Sequence, residues 1–149
     1  QSDSTKFHLI VLGSGYEEKW MPYYKTNSQI HILGERKNVA DYMKFADFFV
    51  LSSDYEGLPL TLLEAMSLGV VPICTPAGGI VDVIEDGKDG YVTKTFDDEE
   101  FYHKIKFALK EKGKLNKSLI QKEYEGNFSM KVCAQKYFEL YENYSLFNR

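Results

Sequence analysis

Strand-length apolar runs alternate with helix-length segments along most of this chain, and that alternation narrows the fold more than any other feature. Residues 7–12, 29–33, 47–52, 70–74 and a short run at 90–93 read as strands. They show little apolar/polar alternation, the pattern of strands covered on both faces. Residues 17–25, 39–45, 59–68 and 79–85 read as the intervening helices, and 97–112, 114–124 and 130–144 as three more. Strand then helix at this spacing implies right-handed βαβ crossovers, so the expected fold is α/β, a Rossmann-like parallel sheet with helices on both faces. The 149 residues suit one domain spanning 1–149, with its core in 7–112 and carboxyl-terminal helices in 114–144.

Ligands of an open parallel sheet bind beyond the carboxyl ends of its strands. In this chain those positions hold Gly13-Ser14-Gly15, Gly34-Glu35-Arg36-Lys37-Asn38, Ser53-Asp54-Tyr55-Glu56-Gly57 and Thr75-Pro76-Ala77-Gly78-Gly79. Other partners fit poorly. The net charge is −4, and the cations are nearly all lysine, 16 Lys against Arg36 and Arg149, which argues against nucleic acid. Gly13-x-Gly15 lacks the third glycine and the downstream acid of a dinucleotide fingerprint. A phosphorylated receiver needs an acid where Gly13 and Gly34 end early strands. His8, His31 and His103 show no metal-ligand spacing, so no metal is expected. Cys74 and Cys133 cannot form a disulfide framework. No secretory leader or membrane span is evident, and the Asn-x-Ser triplets at Asn116, Asn127 and Asn143 read as chance. The cytosol is the default compartment.

The richest stretch runs Ser53-Asp54-Tyr55-Glu56-Gly57-Leu58-Pro59-Leu60-Thr61-Leu62-Leu63-Glu64-Ala65-Met66-Ser67-Leu68-Gly69. Pro59 suits a first helical position and Gly69 an exit. The helix between is almost wholly apolar and is expected to be buried, with free N–H groups at Leu60 to Leu62 aimed out of its start, a natural phosphate seat. Glu64 on so apolar a helix is costly unless it meets hydrogen-bond donors such as sugar hydroxyls. Glu56, just before that phosphate seat, fits best beside a neutral polyol.

Here the chain resembles the retaining, nucleotide-sugar-dependent glycosyltransferases of GT-B type, group 1 branch (family 4-like). Their signature of Glu, seven residues, Glu is matched by Glu56 and Glu64 in Glu-Gly-Leu-Pro-Leu-Thr-Leu-Leu-Glu-Ala-Met. The likeness extends to Gly34-Glu35-Arg36-Lys37-Asn38-Val39, Ala46-Asp47, Gly78-Gly79 and Asp86-Gly87-x-x-Gly90, across roughly residues 8 to 110. The resemblance implies the donor-binding, carboxyl-terminal half of a GT-B fold. By it, Glu56 contacts the donor sugar and is the catalytic candidate, Glu64 holds the ribose, and the amides around Gly57, Leu60 and Thr61 cradle the diphosphate. The loop of Arg36, Lys37 and Val39 holds the base. The donor is a UDP-, GDP- or ADP-linked sugar, no cofactor is used, and the products include polysaccharide, lipid-linked or envelope glycans.

Asn38 stands where that family commonly has aspartate, and Asp82 where it has glutamate. The strand and helix that open the family's donor domain, with an arginine and a lysine for the diphosphate, find no counterpart before residue 7, nor does the acceptor domain. The chain is therefore expected to be part of a longer enzyme and inactive alone. A non-catalytic nucleotide-sugar-binding module and a fragment of a GT-B sugar-nucleotide epimerase are the alternatives. The lysines between Lys104 and Lys122, opposed in sequence only by Glu111, read as a solvated face, with weak attraction to the inner face of an anionic membrane as the alternative. Tyr137, Phe138, Tyr141 and Tyr144 are expected to cover the core, with some exposed and favouring self-association.

Overall fold

Four consecutive residues of one strand, Val71–Cys74 (β4), are fully buried, and the larger part of the protein is built around them. In the computed structural model, which describes residues 7–15 and 17–147, the elements before it are β1 (Leu9–Leu12), α1 (Glu17–Tyr24), β2 (Ile30–Gly34), α2 (Val39–Phe45), β3 (Phe48–Leu51) and α3 (Leu60–Ser67). After it come α4 (Ile80–Val83), β5 (Tyr91–Val92), α5 (Asp98–Lys110), α6 (Lys117–Asn127) and α7 (Met130–Phe147). The amino-terminal Gln-Ser-Asp-Ser-Thr stretch and Arg149 lie outside the described residues.

The chain divides into two compact units, Gln1–Tyr42 and Met43–Arg149. Among the described residues all ladders are parallel, as the βαβ reading requires, but they form two sheets, β1-β2 and β3-β4-β5, where one was expected. The alternation of elements dictates parallel pairing across each crossover; it does not dictate that every crossover shares one ladder.

In the first unit β1 pairs with β2 in register Leu9 with Ile30, and α1 packs on β2. Leu9 and Ile10 stay exposed, so the expectation of strands covered on both faces fails for β1. His8 Nδ1 and His31 Nε2 lie 3.0 Å apart with their rings stacked, a contact within this small sheet.

In the second unit β4 lies between β3 and β5, with Phe48 opposite Val71 and Ile73 opposite Tyr91. Leu62 and Met66 of α3, Ile80 of α4, Ala108 of α5 and Ile120 of α6 complete an apolar core around Ile73 and Cys74. Burial pushes the Cys74 thiol up to about 12, so it packs as a small apolar group and is chemically inert. The Asp86-Gly87-x-x-Gly90 motif is a structural clasp. Asp86 accepts from the Val92 amide and from Lys104 at 2.9 Å, tying β5 to α5.

The acidic start of α5 acts through hydrogen bonds as well as through the helix dipole. Asp97 caps it by accepting from the Glu100 amide, and Glu100 accepts in return from the Thr95 hydroxyl and from the Lys94 and Thr95 amides. The Thr95 hydroxyl, and after it the Lys94 amide, hold the Glu100 carboxyl below the ordinary carboxylate range. A carboxyl lowered in the folded state contributes stability above its unfolded pKa of about 4.3 and loses it as the pH falls through the folded value. Glu100→Gln is thus expected to flatten the acid limb of a melting-temperature profile as the pH falls below the unfolded glutamate range. Parallel limbs for the two proteins would contradict this assignment.

Two surface expectations change. Tyr137, Phe138, Tyr141 and Tyr144 do not cover the core; all are exposed on α7, which is exposed at every described position from Cys133 to Tyr144. The lysine run is also less free than its sequence suggests. Lys104 pairs with Asp86 and Lys112 with Asp47, acids the fold brings in from outside the run, and Lys114 pairs with Glu111 within it. Among the described residues, no helix is long and apolar enough to cross a membrane.

Candidate functional site

The carboxyl ends of β3 and β4 are joined by three hydrogen bonds that define the site. Thr75, buried at the end of β4, donates its amide to the Leu51 carbonyl and its hydroxyl to the Ser53 carbonyl at 2.5 Å. Four residues further on, the Gly79 amide donates to the Gly57 carbonyl at 2.7 Å. The loop bearing Glu56 is therefore held at both flanks by the loop after β4. Gly78 makes this approach feasible: its φ is +53°, and a Cβ there would lie 2.0 Å from the Glu56 carbonyl oxygen. Glu56 itself is half-buried, with its carboxylate accepting from the Ser53 hydroxyl at 2.7 Å.

Helix α3 begins directly after this loop. Pro59, extended at φ −70° and ψ 117°, is its N-cap and not its first helical residue, and it offers no side-chain cap. The Leu62 amide donates to the Pro59 carbonyl at 3.1 Å, which removes it from the free amides expected there. Those of Leu60 and Thr61 keep no acceptor among the described residues. Leu62, Ala65 and Met66 are buried, but Leu60, Thr61 and Glu64 are exposed. The helix is thus amphipathic and not wholly buried, and Glu64 is solvated. The argument that burial forces Glu64 to find donors does not hold. What remains is placement: Glu64 shares the open face of α3 with Leu60 and Thr61, one turn or about 5 Å from the free amides.

Arg36 and Lys37, on the loop leaving β2, and Val39, the first residue of α2, belong to the first unit. Arg36 and Lys37 are exposed, Val39 is half-buried, and Arg36 Nη1 donates to the Glu35 carbonyl at 2.9 Å. Asn38, where aspartate was noted as usual, opens α2: its carbonyl accepts from the Asp41 amide and its side-chain amide donates to the Asp41 carboxylate. Gly57 is exposed at the turn before α3, and Asp82 is exposed on α4. Among the described residues, no three His, Cys, Asp or Glu side chains converge to hold a metal ion.

Sequence reasoning missed Ser53 and Thr75. Ser53 was quoted only as part of its motif, three residues before Glu56, a separation that lets a turn bring the two side chains together. Thr75 was read only as the first residue of the loop after β4; its bond to the Ser53 carbonyl spans 22 residues and depends on the β3-β4 register.

The sequence model of the group 1 glycosyl transferases matches residues 1–126. The chain belongs to this family. Among the relatives of this group 1 family member, an N,N'-diacetylbacillosaminyl-diphospho-undecaprenol alpha-1,3-N-acetylgalactosaminyltransferase of Campylobacter jejuni is 29% identical over 80% of the chain and 32% of its own. A glycogen synthase of Lachnoclostridium phytofermentans is 30% identical over 91% of the chain and 31% of its own. The group 1 chain thus spans about a third of the length of these relatives. A crystal structure of Anabaena HepE in complex with UDP superposes with a TM-score of 0.77 at 19% identity, covering 92% of this chain and 41% of that one. The α/β fold with helix-flanked parallel sheets is the one seen in such GT-B glycosyltransferases.

Proposed function

We propose that this group 1 chain is the donor-binding part of a retaining glycosyltransferase that moves a hexose-type sugar from a nucleoside diphosphate to a glycan or lipid-linked acceptor. One observation carries the reading: Leu60 and Thr61, whose amides are free at the start of α3, are exposed one turn from the exposed Glu64, directly after a loop that holds Glu56 in place. Amides at a helix start, backed by the helix dipole, suit a diphosphate. Carboxylates to either side accept from hydroxyls, so Glu56 would read the sugar and Glu64 the ribose.

In this reading the bond from the sugar's anomeric carbon to the diphosphate breaks, the departing diphosphate keeping the electron pair. The acceptor hydroxyl bonds to the same face and passes its proton to the departing diphosphate, so anomeric configuration is kept. The amides of Leu60 and Thr61 and the dipole of α3 offset charge gathering on the leaving group, an electrostatic task that needs no metal. Glu56 acts by holding the sugar against that line of departure. The acceptor site would lie in parts of the longer protein that this chain does not include. Alone, the chain is expected to transfer no sugar and to self-associate through the exposed aromatics of α7; the whole protein is expected on the cytoplasmic side.

Calorimetry with UDP, GDP and ADP and their glucose and N-acetylglucosamine derivatives tests this. Glu56→Ala should leave affinity for the free diphosphate unchanged and weaken the sugar-linked form by roughly 1.5–3 kcal/mol, the scale of hydrogen bonds to a charged group. Equal losses for both ligands would refute the role given to Glu56. A requirement for a divalent ion would refute the metal-free reading. The alternative of a non-catalytic binding module predicts the same calorimetry but no transfer by the whole protein.

A further inference from the structure

We infer that Ser53 is a positioning residue for donor-sugar recognition, acting through Glu56; this rests on the reading of Glu56 given above. Ser53 lies two residues beyond β3, and both of its polar ends are committed. Its carbonyl accepts from the buried Thr75 hydroxyl at 2.5 Å, and its own hydroxyl donates to Glu56 Oε1 at 2.7 Å. The chain of contacts runs from the core strand β4, through Thr75 and Ser53, to the carboxylate.

A glutamate side chain on a surface loop ordinarily samples many rotamers, and ordering it on ligand binding costs free energy. The Ser53 hydroxyl removes part of that freedom before the sugar arrives. It also fills one lone pair of Oε1 and leaves Oε2 as the open acceptor for a sugar hydroxyl, which turns a flexible carboxylate into a directional one. The anchoring is independent of α3: Thr75 and Ser53 join strand ends, and the amides of Leu60 and Thr61 take no part. Ser53 should therefore affect the sugar part of the donor and leave the diphosphate part alone, a separation that a general structural role would not produce.

The test compares wild type, Ser53→Ala, Ser53→Thr, Glu56→Ala and the double variant Ser53→Ala/Glu56→Ala in the whole protein. Titrants are UDP, GDP and ADP and their glucose and N-acetylglucosamine derivatives. Ser53→Ala should weaken the sugar-linked ligand by about 3- to 10-fold, the worth of one ordinary hydrogen bond, and leave the free diphosphate unchanged. Ser53→Thr, which restores the hydroxyl, should recover affinity, and Ser53→Ala should add nothing once Glu56 is alanine. Should Ser53→Ala not fold, Ser53→Cys keeps the volume and weakens the donor for the same comparison. If Glu56→Ala selectively weakens the sugar-linked ligand while Ser53→Ala does not, positioning by Ser53 is overturned and the Glu56 reading stands. If the Ser53 loss persists in the Glu56→Ala background, Ser53 acts by another route and the inference is also overturned. If Glu56→Ala has no selective effect, the reading of Glu56 falls and this inference with it.

Discussion

Replacing Gly78 with alanine is expected to destabilise the second unit by roughly 2–5 kcal/mol, the sum of a left-handed residue's cost and that of forcing a methyl group into a packed contact. The backbone there has a φ of +53°, and the added carbon would lie 2.0 Å from the Glu56 carbonyl oxygen and 2.7 Å from that of Gly57. Both obstacles are backbone atoms, so no side chain can swing aside. The loop bearing Glu56 would have to move, and the hydrogen bond from the Gly79 amide to Gly57 would stretch or break. Gly87→Ala is the control. Its φ of +82° is similarly strained, but nothing lies within 4 Å of the added carbon, so it should cost only about 1–2 kcal/mol. Denaturant titration of the two variants separates strain from collision. Equal losses would show that the loops after β3 and β4 are not in tight contact.

Glu64→Ala is expected to weaken nucleoside diphosphate binding by roughly 1.5–3 kcal/mol, or about 10- to 150-fold, because a carboxylate accepting from ribose hydroxyls forms charge-assisted hydrogen bonds. Fold stability should barely change. Glu64 is exposed on α3 and removing it opens no cavity, whereas its neighbours Leu62, Ala65 and Met66 carry the packing. This combination of large binding loss and small stability loss distinguishes a ligand contact from a solvated helix residue. Glu64→Gln, an acceptor without the charge, should fall between alanine and wild type. An alanine variant that binds the diphosphate as wild type does would remove Glu64 from the site.

Element order and most boundaries were legible in the sequence. Val39–Phe45 forms α2 as expected, and β4 and α3 shift by a single residue at their ends, because apolar runs and Pro/Gly punctuation report local backbone preference directly. The placement of glycine and polar loops after strands was legible for the same reason. What a sequence does not show is which face of an apolar helix the tertiary fold covers. The helix carrying Glu64 was expected to be buried, and α3 instead keeps an exposed face that places Glu64 in solvent. Likewise Lys104 and Lys112 meet Asp86 and Asp47, acids distant in sequence that only the fold brings near. The Asp86-Gly87-x-x-Gly90 motif, read as part of the family pattern, proved to be the clasp between β5 and α5. Ser53 and Thr75 escaped notice because their link to Glu56 depends on strand register.

A crystal structure of the whole protein with its bound nucleoside diphosphate sugar would probe the α3 start most directly. Phosphate oxygens within hydrogen-bond distance of the Leu60 and Thr61 amides, with Glu56 on a sugar hydroxyl and Glu64 on the ribose, is the predicted result. A diphosphate seated away from α3, with both carboxylates turned to bulk water, would contradict it.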